Sequence, residues 1–135
     1  MLFRDLELAE PILRAALESL TAQLGPEHSR LAVLRKALGA TLLARGRPDE
    51  ARVLLERALA QFEADAQNPI EQAQTRWELA RALGALDEHL AAHAQAQRAA
   101  DEFEALGPEQ AGRVREINTW LRGAAIPVKP KDPRP

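Results

Sequence analysis

Leu38-Gly39-Ala40-Thr41-Leu42, followed after the turn Gly46-Arg47-Pro48-Asp49-Glu50 by Ala51-Arg52-Val53-Leu54-Leu55-Glu56-Arg57-Ala58 and Phe62, reads as a helix, a break and a second helix. Leu31, Leu34, Leu38 and Leu42 recur at helical spacing before the break, and Leu55, Leu59 and Phe62 after it. The stretch meets itself again at an offset of 41. Leu38 falls on Leu79, Gly39 on Ala80, Leu42 on Leu83, Ala51 on Ala92, Ala58 on Ala99 and Phe62 on Phe103. Backwards, an offset of 42 puts Ala51 on Ala9, Leu55 on Leu13, Ala58 on Ala16 and Phe62 on Leu20. The linker Leu24-Gly25-Pro26-Glu27 returns as Leu106-Gly107-Pro108-Glu109. A fixed period of this length marks a repeat architecture of paired antiparallel helices. Gly39 and Ala80 are small where one helix approaches its partner, and Ala51 and Ala92 where the next helix crosses. One hairpin leaves an apolar face open, so hairpins must stack to bury it.

Composition agrees. The chain has 135 residues, 46% of them apolar, enough for one small domain. Ala and Leu dominate, Tyr is absent, and β-branched residues are scarce, which favours helices over strands. The fold class is therefore all-α. Lys plus Arg is 18 against 20 for Asp plus Glu, a net charge of −2, without the basic excess of a generic nucleic-acid binder. There is no Cys, so disulfides and thiolate sites are excluded. No apolar run approaches a membrane span, and the start, Met1-Leu2-Phe3-Arg4-Asp5, does not read as a signal peptide. The expected location is the cytoplasm.

Gly-Pro and Asn-Pro breaks predict six helices, over 4–24, 27–45, 48–66, 69–85, 87–106 and 108–123. The tail from Ile126 has four Pro in ten residues and is expected to be disordered.

The unit Leu38-Gly39-x-x-Leu42 … Ala51-x-x-x-Leu55-x-x-Ala58 resembles the tetratricopeptide repeat, and Leu79-Ala80-x-x-Leu83 … Ala92-x-x-x-Ala96-x-x-Ala99 is a second copy. The period exceeds the family's usual length and is similar to the kinesin-light-chain-like repeats of bacterial proteins. The stretch Glu116-Ile117-Asn118-Thr119-Trp120-Leu121-Arg122 resembles the carboxyl end of arrays carried by bacterial Ser/Thr kinases, although no kinase motif is present. The chain departs from the family where Arg35 replaces the first signature Trp and Leu replaces Tyr. The resemblance implies an α-α superhelix: 1–24 as the second helix of a half-repeat, 25–66 and 67–106 as full repeats, 107–123 as a closing helix, and 124–135 as the tail.

In such an array the first helix of each repeat lines the concave face. Carried over by position, the lining is Lys36 and Ala40, then Trp77, Glu78 and Arg81 with Gln74, then Arg115, Asn118 and Arg122. Lys36, Gln74, Trp77, Arg81, Arg115, Asn118 and Arg122 form the candidate peptide-binding set. Arg offers forked charge-assisted bonds, Asn can hold a backbone, and Trp supplies stacking area. The implied function is a non-catalytic protein-interaction scaffold that takes an extended acidic peptide, with no cofactor, nucleic acid or membrane involved. The plain alternative is that the Arg stems cover apolar surface and Trp77 is core. Trp120, aligned with Leu38 and Leu79, is expected to close the last interface.

Leu2, Phe3, Leu6, Leu13, Leu17, Leu20 and Leu24 make a broad apolar face on the first helix, with no partner helix before it. A structural module that homodimerises through this face is the competing reading. His89 and His93 have zinc-compatible spacing beside Asp87 and Glu88, but Leu90 stands where a zinc-protease helix would need Glu. They are read as surface residues, and no metal site is assigned. The pairs Asp49-Glu50, Asp87-Glu88 and Asp101-Glu102 are read as helix-start or solvated-face charges.

Overall fold

The computed structural model describes the backbone of residues 2–123 and the side chains of residues 5–123. The expectations for the side chains of Leu2 and Phe3 and for the tail 124–135 lie outside the described residues. Six α-helices follow in order: α1 (Leu2–Leu24), α2 (Arg30–Ala44), α3 (Pro48–Asp65), α4 (Pro69–Ala85), α5 (His89–Ala105) and α6 (Ala111–Gly123). A single 3₁₀ turn, Pro108–Gln110, precedes α6. No strand occurs among the described residues. Each helix packs chiefly on its chain neighbours, and α2 also touches α4, so the first helices of successive repeats lie side by side. This is a tetratricopeptide-like helical superhelix. No described helix is long and apolar enough to cross a membrane.

Local chemistry sets the breaks. Pro48 and Pro69 open α3 and α4, where the missing N–H costs nothing, and acidic residues follow in the first turn. Gly46 and Asp87, one repeat apart, both adopt left-handed backbone, with φ of 78° and 62°. The same turn is thus made by glycine once and by aspartate once, the two residue types that tolerate it best. The expectation that α2 begins near 27 is corrected to Arg30. Gly25 turns left-handed at φ 85°, and His28 Nδ1 accepts the Arg30 N–H at 3.2 Å, which holds 25–29 as a turn. In the same way Pro108 opens a 3₁₀ turn and α6 proper starts at Ala111.

One core cluster joins Leu38, Leu42, Ala51, Leu55 and Leu59 to Leu79, Leu83 and Ala92. Ala51 and Leu55 are fully buried. A Cβ on Gly39 would stand 2.7 Å from Leu55 Cγ, so the close approach of α2 to α3 depends on this glycine. A second cluster gathers Trp77, Ala80, Ala96, Ala99, Phe103, Ile117 and Leu121 and seats α6.

The first signature position holds arginine in both repeats, and both side chains are buried. Arg35 donates to Gln61 Oε1 at 2.6 Å and to the Pro26 carbonyl at 2.9 Å. Arg76 donates to Glu102 at 2.5 Å, Gln95 at 2.8 Å and Glu63 at 3.0 Å, tying α4 to α5 and α3. Glu102, read from sequence as a solvated charge, is therefore a structural partner. Gln61 and Glu102 are also one period apart, so the lock repeats with the array.

The apolar face expected on the first helix is corrected. Leu13 and Leu17 pack against the main core, and Leu6 and Leu20 are half-buried. The large apolar side chains left open on this helix are Leu8, Ile12 and, at its end, Leu24. Burial of Leu13 and Leu17 sets this orientation, and in it Glu10 joins Arg14, Arg45 and Arg47 at 2.7–2.9 Å. The Arg14 hydrogen bond and the charges of Arg47 and Arg45 hold the Glu10 carboxyl below its usual value.

Candidate peptide-binding groove

The repeat register brings the candidate residues onto successive inner helices. Lys36, Trp77 and Asn118 are equivalent, as are Arg81 and Arg122, and Gln74 and Arg115. What each offers differs from the sequence reading.

Trp77 is only 2% exposed and belongs to the second core cluster. Its ring meets Trp120 edge-on, with centroids 5.5 Å apart and planes at 87°. Arg81 lies over its face, the guanidinium carbon 5.1 Å from the centroid. The indole therefore gives the groove no free stacking area. It carries the cation instead, an attraction of roughly 0.5–1 kcal/mol at an exposed site. Trp120 is half-buried and touches both core clusters.

Lys36 is not a free cation. Its Nζ lies 2.9 Å from Glu71 Oε2, an oxygen otherwise without a partner. Arg81 and Arg122 are exposed and make no ion pair among the described residues. Arg122 donates to Thr119 Oγ1 at 3.5 Å. Gln74 and Asn118 are half-buried. Arg115 belongs to the α5–α6 junction, where it lines a shallow cleft of about 350 Å³ with Glu104, Gly107, Pro108 and Val114.

Glu78, left out of the candidate set, is 6% exposed, and its Oε2 has no hydrogen-bond partner among the described residues. Burial pushes its carboxyl above the usual value, and Glu71 adds to the rise. Lys36, Arg81 and Arg113 pull the other way without prevailing. A carboxyl raised in the fold costs stability at neutral pH, and that cost is relieved as pH falls through its folded value. Trp77 Nε1 is likewise buried without a partner among the described residues. Sequence reasoning missed Glu71 and Arg113 altogether, because their roles depend on neighbours in other helices. The inner surface is therefore mixed rather than simply basic: neutralised at the α2 end and cationic towards α6.

His89 and His93 sit near the start of α5, and His89 Nε2 lies 3.6 Å from Asp87. Among the described residues no group of three or more His, Cys, Asp or Glu converges as a metal site would require.

A family model described as tetratricopeptide repeat matches residues 2–64, from α1 to the end of α3. Comparison with curated proteins gives no match. Tetratricopeptide repeats generally mediate protein–protein interaction and are typically non-catalytic scaffolds. The hairpin α4–α5 continues the matched region with the same register and the same buried arginine. The family match and the stacked hairpins together support a tetratricopeptide-repeat protein.

Proposed function

We propose that the chain is an interaction scaffold of the kinesin-light-chain-like kind that captures an extended acidic peptide along its inner groove. Arg81 and Arg122 are the primary grips, with Asn118 and Gln74 positioned for the peptide backbone and Lys36 and Arg115 at the two ends. The observation that supports this is the placement of two exposed, unpaired arginines at equivalent positions of α4 and α6. Arg14, Arg45, Arg47, Arg52, Arg57 and Arg76 each hold a glutamate, whereas Arg81 and Arg122 hold none among the described residues, a freedom they share with Arg30, Arg98, Arg113 and Arg115. Arg81 and Arg122 lie on neighbouring inner helices. Charge-assisted bonds are each worth roughly 1.5–3 kcal/mol. The Arg81→Ala, Arg122→Ala double variant is therefore expected to lose captured partners by more than tenfold in a pull-down read by mass spectrometry. Capture should also weaken with added salt. Equal, salt-insensitive capture by both proteins would sink the reading.

A second reading is favoured by α1. Ile12 is 66% exposed and Leu8 58%, one turn apart, while Leu54, at the position equivalent to Ile12, packs on the core. Self-association would cover this face. Light scattering over a wide concentration range tests it. Under this reading Ile12→Glu shifts the mass to that of one chain, and a wild type that stays monomeric throughout removes the idea.

A further inference from the structure

Inside the array α2 is held between two walls. On α3, Leu54 packs on the core of Leu38 and Leu42, and Gln61 accepts from Arg35. On α4, Glu71 pairs with Lys36. One period earlier the same positions are Ile12 and Ser19 on α1 and Arg30 on α2. Both walls therefore recur at the α1–α2 end, and among the described residues no helix takes the place that α2 holds further on. Burial is incomplete there as well. Ala51, Leu55 and Ala58 on α3 are fully buried, whereas their equivalents Ala9, Leu13 and Ala16 are only half-buried. Leu8 and Ile12 stand open on the α1 wall, and Val33, 48% exposed, on the α2 wall. Val33 and Ala37 occupy the positions of Gln74 and Glu78, so this wall is apolar where its α4 counterpart is polar.

The repeat also dictates what fits. Leu13 corresponds to Leu55, and a Cβ on Gly39 would stand 2.7 Å from Leu55 Cγ. An occupant therefore needs a small residue at that crossing, set between leucines as in Leu38-Gly39-x-x-Leu42 and Leu79-Ala80-x-x-Leu83. Where Arg35 finds Gln61, Ser19 offers only a short hydroxyl, so an apolar residue suits better than a buried arginine. Where Lys36 finds Glu71, the wall carries Arg30, which is exposed and holds no carboxylate among the described residues. The sign is reversed, so the complementary residue is an acid. No described helix of this chain meets these terms: the position of Lys36 holds Trp77 in α4 and Asn118 in α6, and α6 has Leu121 where the small residue belongs. A second copy thus has no such helix to offer.

We infer that the α1–α2 end is a docking slot for an amphipathic helix of a partner protein, one with glycine or alanine between leucines at its crossing and a glutamate three residues before the small residue. It seats antiparallel to α1, as α2 does to α3, and continues the interface already formed within the array. The inference is independent of the groove reading, and self-association through the same face is its rival.

The probe is a synthetic peptide of residues 29–45 carrying Arg35→Leu and Lys36→Glu, with a fluorophore at one end, titrated with the whole chain and read by anisotropy. One-to-one, saturable binding is expected. Gly39→Leu in the peptide should weaken it by roughly tenfold or more, as overpacking at the crossing requires. Restoring lysine at position 36 of the peptide should weaken it by about two- to fivefold, the range of an exposed ion pair. In an Arg30→Glu protein that preference should invert, the lysine peptide binding better than the glutamate one. Ile12→Glu and, separately, Val33→Gln change exposed positions on opposite walls, so both variants are expected to keep the wild-type circular dichroism and to bind more weakly. Arg81→Ala is expected to bind as the wild type does, which separates the slot from the groove. No binding by the wild type, binding indifferent to Gly39→Leu or to the wall variants, or a charge preference that Arg30→Glu leaves unchanged overturns the inference. So does a wild type that light scattering shows to be dimeric and that Ile12→Glu makes monomeric, because the slot would then belong to a second copy.

Discussion

Arg76→Ala is expected to lower the unfolding free energy by about 2–4 kcal/mol. The side chain is 1% exposed and holds three helices through Glu102, Gln95 and Glu63. Gln72 Nε2 also donates to Glu102, at 2.8 Å, so truncation loosens a five-residue network rather than one pair. The loss stays below that of a fully interior pair because the carboxylates reach water: Glu102 is 28% and Glu63 43% exposed at the side chain. Arg35→Ala is the internal comparison. It removes the same stem at the equivalent position but leaves only neutral acceptors, Gln61 and the Pro26 carbonyl, and should cost about 1–2 kcal/mol. An Arg76→Met, Glu102→Leu pair is expected to recover most of the loss, since matched apolar replacement of a buried ion pair is often neutral. Urea midpoints for the single and double variants decide this. Equal costs at Arg76 and Arg35 would mean that packing of the stem, and not its charge, makes the lock.

Phe103→Ala is expected to cost about 3–5 kcal/mol. Phe103 is 1% exposed within the cluster that seats α6. Its neighbours there are mostly alanines, Ala96, Ala99 and Ala100 among them. Alanine has no rotamer with which to fill the space, so the cavity persists. Phe62, one period earlier, sits in a small satellite with Ala32 and Ala58, and Phe62→Ala should fall at or below the low end of the same range. Hydrogen exchange adds a spatial check. Loss of Phe103 should strip protection from α6, whose Ile117 and Leu121 rest on this cluster, before it reaches α2 and α3. Uniform loss along the chain would show instead that the array unfolds as one unit.

The architecture was legible because it is written in side-chain size at fixed positions. Gly39, Ala51, Ala58, Ala92 and Ala99 are small for steric reasons that any reader of the period can recover, and all four alanines are buried at 1% or less. The groove was legible only in outline. Register put Lys36, Trp77, Arg81, Asn118 and Arg122 on inner helices, but register does not say what a long side chain meets. Lys36 found Glu71 in another helix, and Trp77 turned into the core under Arg81. The Arg76 lock left a trace that could have been read: Arg35 and Arg76 are one period apart, as are Gln61 and Glu102. The start of α2 was misplaced because Gly-Pro-Glu suits a turn as well as a first helical turn. On α1, hydrophobicity alone could not separate the Leu13–Leu17 face from the Leu8–Ile12 face. The ion pairs of Glu10 with Arg45 and Arg47 accompany the burial of the Leu13–Leu17 face.

The edge-to-face tryptophan pair makes the molecule optically one-sided. The chain has two Trp and no Tyr, and both indoles lie in the carboxyl-terminal half, one on α4 and one on α6. Indole emission therefore comes from a single spot beneath Arg81, while α1, α2 and α3 are dark. A ligand that draws the guanidinium off Trp77 would announce itself without a label. Melting followed by emission reports only the carboxyl-terminal hairpin and its closing helix, whereas circular dichroism reports every helix. The gap between the two curves measures directly how far neighbouring hairpins are coupled in this short array.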